Sequence, residues 1–133
     1  MIEQPTEIIL HQKSHELELA FGDGARYRLP FEFLRVYSPS AEVRGHGPGQ
    51  EVLQAGKKNI SVTELEPAGS YALKIVFGDG HDSGLYSWEY LRSLGDHRDE
   101  MWQDYLHQLE AAGGSREPGE KQPVKDAPRS CGA

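Results

Sequence analysis

The sequence predicts an α+β fold: a small, hairpin-rich domain of five to seven mostly antiparallel strands, with short helices and a C-terminal helix. Two observations carry this. The chain repeats itself: residues 17–35 read LELAFGDGARYRLPFEFLR and residues 71–92 read YALKIVFGDGHDSGLYSWEYLR. Each copy is an alternating strand ending in Phe-Gly-Asp-Gly, a second short strand, and an aromatic-Glu-aromatic-Leu-Arg segment. The second observation is a helical pattern between Asp96 and Ala111, where Met101, Tyr105 and Leu109 recur every four residues beside Trp102 and Leu106.

In chain order, Glu7–Leu10 is the first expected strand. Leu17, Leu19 and Phe21 then share one face, with Glu16, Glu18 and Ala20 on the other. Asp23-Gly24 suits a tight hairpin turn, because glycine takes positive φ without steric cost. Pro30 suits the first turn of a short helix anchored by Phe31, Phe33 and Leu34. A strand is expected over Ile60–Leu65. In the second copy Tyr71, Leu73, Ile75 and Phe77 share a face opposite Lys74, and Asp79-Gly80 makes the turn. That copy is one residue longer, and Ser83-Gly84 is the natural place for a bulge. Ser87 suits an N-cap before Trp88-Glu89-Tyr90-Leu91, with Trp88 and Leu91 inward and Glu89 and Arg92 as a solvent pair. Gly113 is the expected stop of the last helix.

Between the copies, residues 38–58 hold Gly45, Gly47, Pro48, Gly49 and Gly56, so a long connection is expected. From Gly113 the composition turns polar, with Pro118, Pro123 and Pro128. Such a segment buries too little to offset its ordering entropy. The division is a domain over 1–112 and a disordered tail over 113–133.

Composition narrows the function classes. The first 112 residues carry eighteen acids against ten Lys and Arg, more acidic than the whole chain at −7. That field repels phosphate backbones, so nucleic acid is not an expected partner. No apolar run approaches the roughly 20 residues of a membrane span. Cys131 is the single cysteine and forms neither an intrachain disulfide nor a thiolate site. With acids where a signal peptide needs bases, a cytoplasmic protein is expected.

No residue set points to catalysis. Of the six histidines, His11, His15, His46, His81, His97 and His107, His11 and His15 stand at HxxxH spacing, but no HxH or HExxH arrangement appears. The RGHGPGQ loop lacks the lysine of a phosphate-binding loop. Asp23 and Asp79 are accounted for by turn chemistry. Tyr86, Trp88 and Tyr90, around Glu89 and Arg92, form the densest aromatic cluster, which suits either core packing or partner binding.

The run FGDGHDSGLYSWEYLRSL and the earlier LRVYSPS resemble the domain at the N-terminus of γ-butyrobetaine hydroxylase, across roughly residues 5–110. In bacteria that domain also stands alone, and it occurs appended to P-loop ATPases of the iron–sulfur carrier type. The family's oxygenase chemistry resides in a separate jelly-roll domain, far larger than this chain could add. The resemblance therefore implies a non-catalytic role. It also implies a structural zinc, held by a Cys-x-Cys-x-x-Cys cluster after a Leu-Arg segment and by one His after the second turn. The matching positions here are Ser38, Ser40 and Val43, with the histidine kept as His81. Neutral hydroxyls and a valine cannot rebuild a tetrahedral zinc site, so a degenerate site is expected.

The expectation is thus a non-catalytic accessory or protein-interaction domain whose protein partner the sequence does not identify. A surface over 38–58 and 81–92, centred on His46, His81 and Tyr86, is offered to that partner. No cofactor is expected, and at most a weakly held metal at His81, helped by Glu42 and His46. The alternative is an accessory factor in iron–sulfur or other metallocluster handling.

Overall fold

In the computed structural model, residues 4–40, 43 and 53–117 are described. Six strands form two three-stranded antiparallel sheets, β1-β2-β3 and β4-β5-β6. The first holds β1 (Glu7–His11), β2 (Glu16–Ala20) and β3 (Arg26–Pro30), followed by helix α1 (Phe31–Val36). The second holds β4 (Val62–Ala68), β5 (Ala72–Phe77) and β6 (Leu85–Ser87), followed by α2 (Trp88–Asp96) and α3 (Arg98–Ala111). This is the α+β, hairpin-rich fold expected.

The two Phe-Gly-Asp-Gly words fold into the same turn. In the first, the Gly24 N–H donates to Phe21 O at 3.0 Å and the Phe21 N–H to Ala25 O at 2.9 Å. In the second, Gly80 donates to Phe77 O at 3.0 Å and Phe77 to His81 O at 3.0 Å. Gly24 and Gly80 sit at φ +92° and +90°. Each is a three-residue hairpin loop closed by a glycine bulge. The Asp side chain accepts from the amide two residues on, Ala25 or His81, at 3.1 Å in both.

The correspondence continues past the turns. Leu17 pairs with Leu29, and Leu73 pairs with Tyr86, one residue further along. The extra residue falls within 81–84, which lies outside the ladder. The first amide of α1, Phe31, donates to His15 O, and that of α2, Trp88, donates to Tyr71 O. Tyr71 thus precedes β5 as His15 precedes β2. It is 62 % exposed, where inward packing was expected.

Leu17, Leu19, Phe21 and Leu29 from the first sheet and Val62, Leu73, Ile75 and Phe77 from the second are buried in one shared core with α1 and α2. All six residues of α1 are buried. In α2 the Ser87 hydroxyl accepts from the Tyr90 N–H at 3.1 Å, the expected N-cap. Trp88 and Leu91 face the core as expected. Arg92 does not pair with Glu89; its guanidinium reaches Asp23 at 2.6 Å. Pro67 lies inside β4, which the edge position of that strand permits.

α3 ends at Gly113, φ +74°, with Gly114 N–H on Leu109 O and Gly113 N–H on Glu110 O. This is a Schellman stop. The chain does not leave the domain there. Ser115 and Arg116 carbonyls accept from Gly56 and Lys58 amides, and Arg116 clasps Glu32 with two bonds of 2.9 and 2.8 Å. Residues 113–117 therefore pack on the domain, although the tail was expected to begin at 113. The rest of that tail lies outside the described residues. Among the described residues, no helix is long and apolar enough to cross a membrane.

Candidate functional site

The two turns meet their helices crosswise. Arg35, the last residue of the first copy, donates from Nε to Asp79 of the second turn at 3.0 Å. Arg92, the last residue of the second copy, reaches Asp23 of the first turn at 2.6 Å. Lys57 adds a second cation to Asp79 at 2.7 Å. Burial pushes the Asp79 carboxyl up, but the bonds from Lys57 and the His81 amide, with Arg35 beside them, outweigh it and hold it at about 2. Arg35 is itself buried, and among the described residues its Nη1 has no hydrogen-bond partner.

Beside this turn the structure gathers Ser38, Ser40 and His81. The backbone leaves α1 at Tyr37, so the two serines follow directly against residues 81–84. Ser38 Oγ and His81 Nε2 lie 2.8 Å apart, and Ser38 Oγ also accepts from the Ser40 N–H at 3.2 Å. Ser40 Oγ and Ser83 Oγ are 2.6 Å apart. Val43 follows with its amide on Ser40 O at 3.0 Å. Gly84 allows the close approach: a Cβ there would stand 2.5 Å from Ser38 Oγ.

This donor set does not fit zinc. The ion takes thiolates, imidazoles or carboxylates in a tetrahedron. Here two neutral hydroxyls, a valine and an imidazole whose Nε2 already shares a hydrogen bond with Ser38 occupy the four matching positions. Among the described residues, no three His, Cys, Asp or Glu side chains converge. Glu42 and His46 lie outside the described residues.

The expected partner surface is corrected by burial. His81 is 5 % exposed and Tyr86 0 %, so neither presents a face to a partner. Tyr86 donates to Leu34 O at 2.5 Å, and burial raises its hydroxyl far above the ordinary range. The internal repeat carried the signal for this. Counting back from Leu91-Arg92 places Tyr86 where the first copy has Leu29, a core position. His46, the third residue of that surface, lies outside the described residues.

Two further groups were not singled out from sequence. One is Lys57, whose role needs the fold to bring it to Asp79. The other is the charge network on the outer face of the first sheet, where Glu18 binds His11 at 2.7 Å and also pairs with Arg26. Those two bonds, His11 first, hold the Glu18 carboxyl at about 2.

Comparison with known proteins agrees with this architecture. The family model described as gamma-butyrobetaine hydroxylase-like, N-terminal, matches residues 8–92. A protein solved in solution by NMR is 52 % identical, covers 90 % of this chain and 94 % of its own, and superposes with a TM-score of 0.78. A second NMR structure is 47 % identical over 92 % of each chain, TM-score 0.76. A crystal structure of a DUF971-family protein of unknown function from Acidithiobacillus ferrooxidans is 40 % identical, covering 69 % of this chain and 92 % of that one, TM-score 0.58. Curated proteins gave no match.

Proposed function

The chain belongs to the gamma-butyrobetaine hydroxylase-like N-terminal family, and on that premise we propose that it is a non-catalytic accessory domain that acts by binding another protein. The observation that carries this reading is the state of the corner where chemistry would be sought. Ser38 and His81 form a nucleophile-and-base pair by distance alone, 2.8 Å, yet both are buried. An activated serine must be reachable by substrate. These two groups instead satisfy each other inside the protein, as buried polar groups do when their role is structural.

In this reading the corner holds no resident metal. Hydrogen bonds among Ser38, Ser40, Ser83 and His81 take the place of a metal tie between the end of α1 and the second turn. The acidic composition suits a cytoplasmic setting. The test is affinity capture of the tagged full chain from its own cells, followed by mass spectrometry. A partner retained reproducibly in near-equal amount is the expected result. Recovery of the chain alone, at several salt concentrations, would overturn the reading.

A further inference from the structure

With His81 and Tyr86 buried, α3 offers another surface to weigh. Between the end of α1, Leu53 and α3 lies a half-open cavity of about 570 Å³, within the range of ligand pockets. Val36, Tyr37, Leu53, Met101 and Tyr105 supply its carbon surface, and among the described residues no charged side chain lines it. The hydroxyl protons of its tyrosines are committed to backbone carbonyls. Tyr37 donates to Met101 O at 2.8 Å, Tyr105 to Gln54 O at 2.8 Å and Tyr90 to Tyr37 O at 2.6 Å.

The rim has the opposite character. Asp104 and Glu100 flank Met101 on exposed turns of α3, where they line an adjoining shallow hollow with it. Asp104 accepts from Gln108 at 2.8 Å, and Glu100 lies 3.3 Å from His97. Among the described residues, neither carboxylate holds an Arg or Lys. Several other carboxylates do hold one: Glu7 and Glu18 with Arg26, Asp23 with Arg92, Glu32 with Arg116, Asp79 with Arg35 and Lys57. Asp104 also acts on the cavity itself. Burial first, and that carboxylate second, push the Tyr37 hydroxyl up to about 12.

We propose that this cavity receives a basic segment of a partner protein, one apolar side chain entering between Tyr37, Leu53 and Met101 while flanking Lys or Arg residues meet Glu100 and Asp104. The inference rests on the interaction reading above and gives that partner a chemistry. Anchoring by a buried apolar residue supplies affinity, and the exposed rim acids Glu100 and Asp104 supply selection for positive charge.

The probes are three capped heptapeptides titrated into the ¹⁵N-labelled full chain. One has a central leucine with three lysines on each side, one replaces that leucine by serine, and one replaces the lysines by glutamates. The leucine–lysine peptide should shift the amides of Leu53, Met101 and Tyr105. The serine version should bind about tenfold more weakly and the glutamate version not at all. The double substitution E100K/D104K lies on exposed positions, so melting should fall by only about 5 °C or less while the leucine–lysine peptide loses about tenfold or more in affinity. Absence of binding, equal binding of all three peptides, shifts confined to another face, or full affinity in the double variant would each overturn the proposal. The two readings fail separately: a cellular partner still captured by E100K/D104K would leave the interaction domain standing and remove this location.

Discussion

The two Phe-Gly-Asp-Gly turns share a backbone and differ in what surrounds them. The first stands at the surface. Asp23 holds one arginine, and Arg92 lies 5.1 Å over the Phe21 ring with solvent beside it. The second is built in. Asp79 holds Arg35 and Lys57, and the residue after the turn is His81 rather than Ala25, tied inward to Ser38. The backbone hydrogen bonds therefore belong to the four-residue word, while the second turn's stability depends on residues brought from α1 and from the connection between the copies. The two copies share one turn; the second sits in a buried polar environment where the first has a surface.

The largest effects should fall where the turns are alike. Phe21→Ala and Phe77→Ala each remove a core ring at a strand end, at a cost of about 3–5 kcal/mol. Phe77 should cost more, since Arg92 can follow the void at Phe21. Denaturant unfolding of both variants checks this, and a surface-like cost for either would break the shared core.

His81→Ala separates the turns. It gives the second turn the residue found in the first and leaves the buried Ser38 hydroxyl without its imidazole. Losing that partner should cost about 1–3 kcal/mol. A neutral effect on unfolding would mean that the corner is solvated and the two turns equivalent.

Asp79→Asn should cost about 1–2 kcal/mol at neutral pH, after discounting for the carboxylate's partial exposure. The Asp79 folded value, about 2, lies below its ordinary 3.8. The stabilisation is therefore present above about pH 4 and lost as pH falls through about 2. The difference between wild type and Asp79→Asn should shrink over that window. Asp23, exposed and held chiefly by Arg92, should show a smaller dependence in Asp23→Asn.

The smallest difference is expected at the glycines. Both occupy positive φ with no atom near an added Cβ, so Gly24→Ala and Gly80→Ala should each cost about 1 kcal/mol, and equally. Unequal costs would show that the second turn's surroundings strain its backbone.

What could be read from the sequence was local. The strands, both turns, the Ser87 cap and the Gly113 stop each depend on a few adjacent residues whose φ preferences and periodicity decide the outcome. The crossed pairs, Arg35 with Asp79 and Arg92 with Asp23, join residues far apart in the chain, and no spacing rule specifies them. The same holds for Arg116, which returns from beyond α3 to clasp Glu32. Tyr86 was misplaced for a different reason. Its aromatic ring suits a core or a surface equally, and only alignment with Leu29 decides between them. That serines stand at 38 and 40 was legible, but their bonds to His81 and Ser83 required the fold.

The metal content of the chain bears most directly on the corner at Ser38, Ser40 and His81. Purified from its own cells without chelator and measured by inductively coupled plasma mass spectrometry, it should carry far less than one zinc per chain. One zinc per chain, retained through gel filtration, would contradict the claim that hydrogen bonds at Ser38, Ser40 and His81 stand in place of a metal.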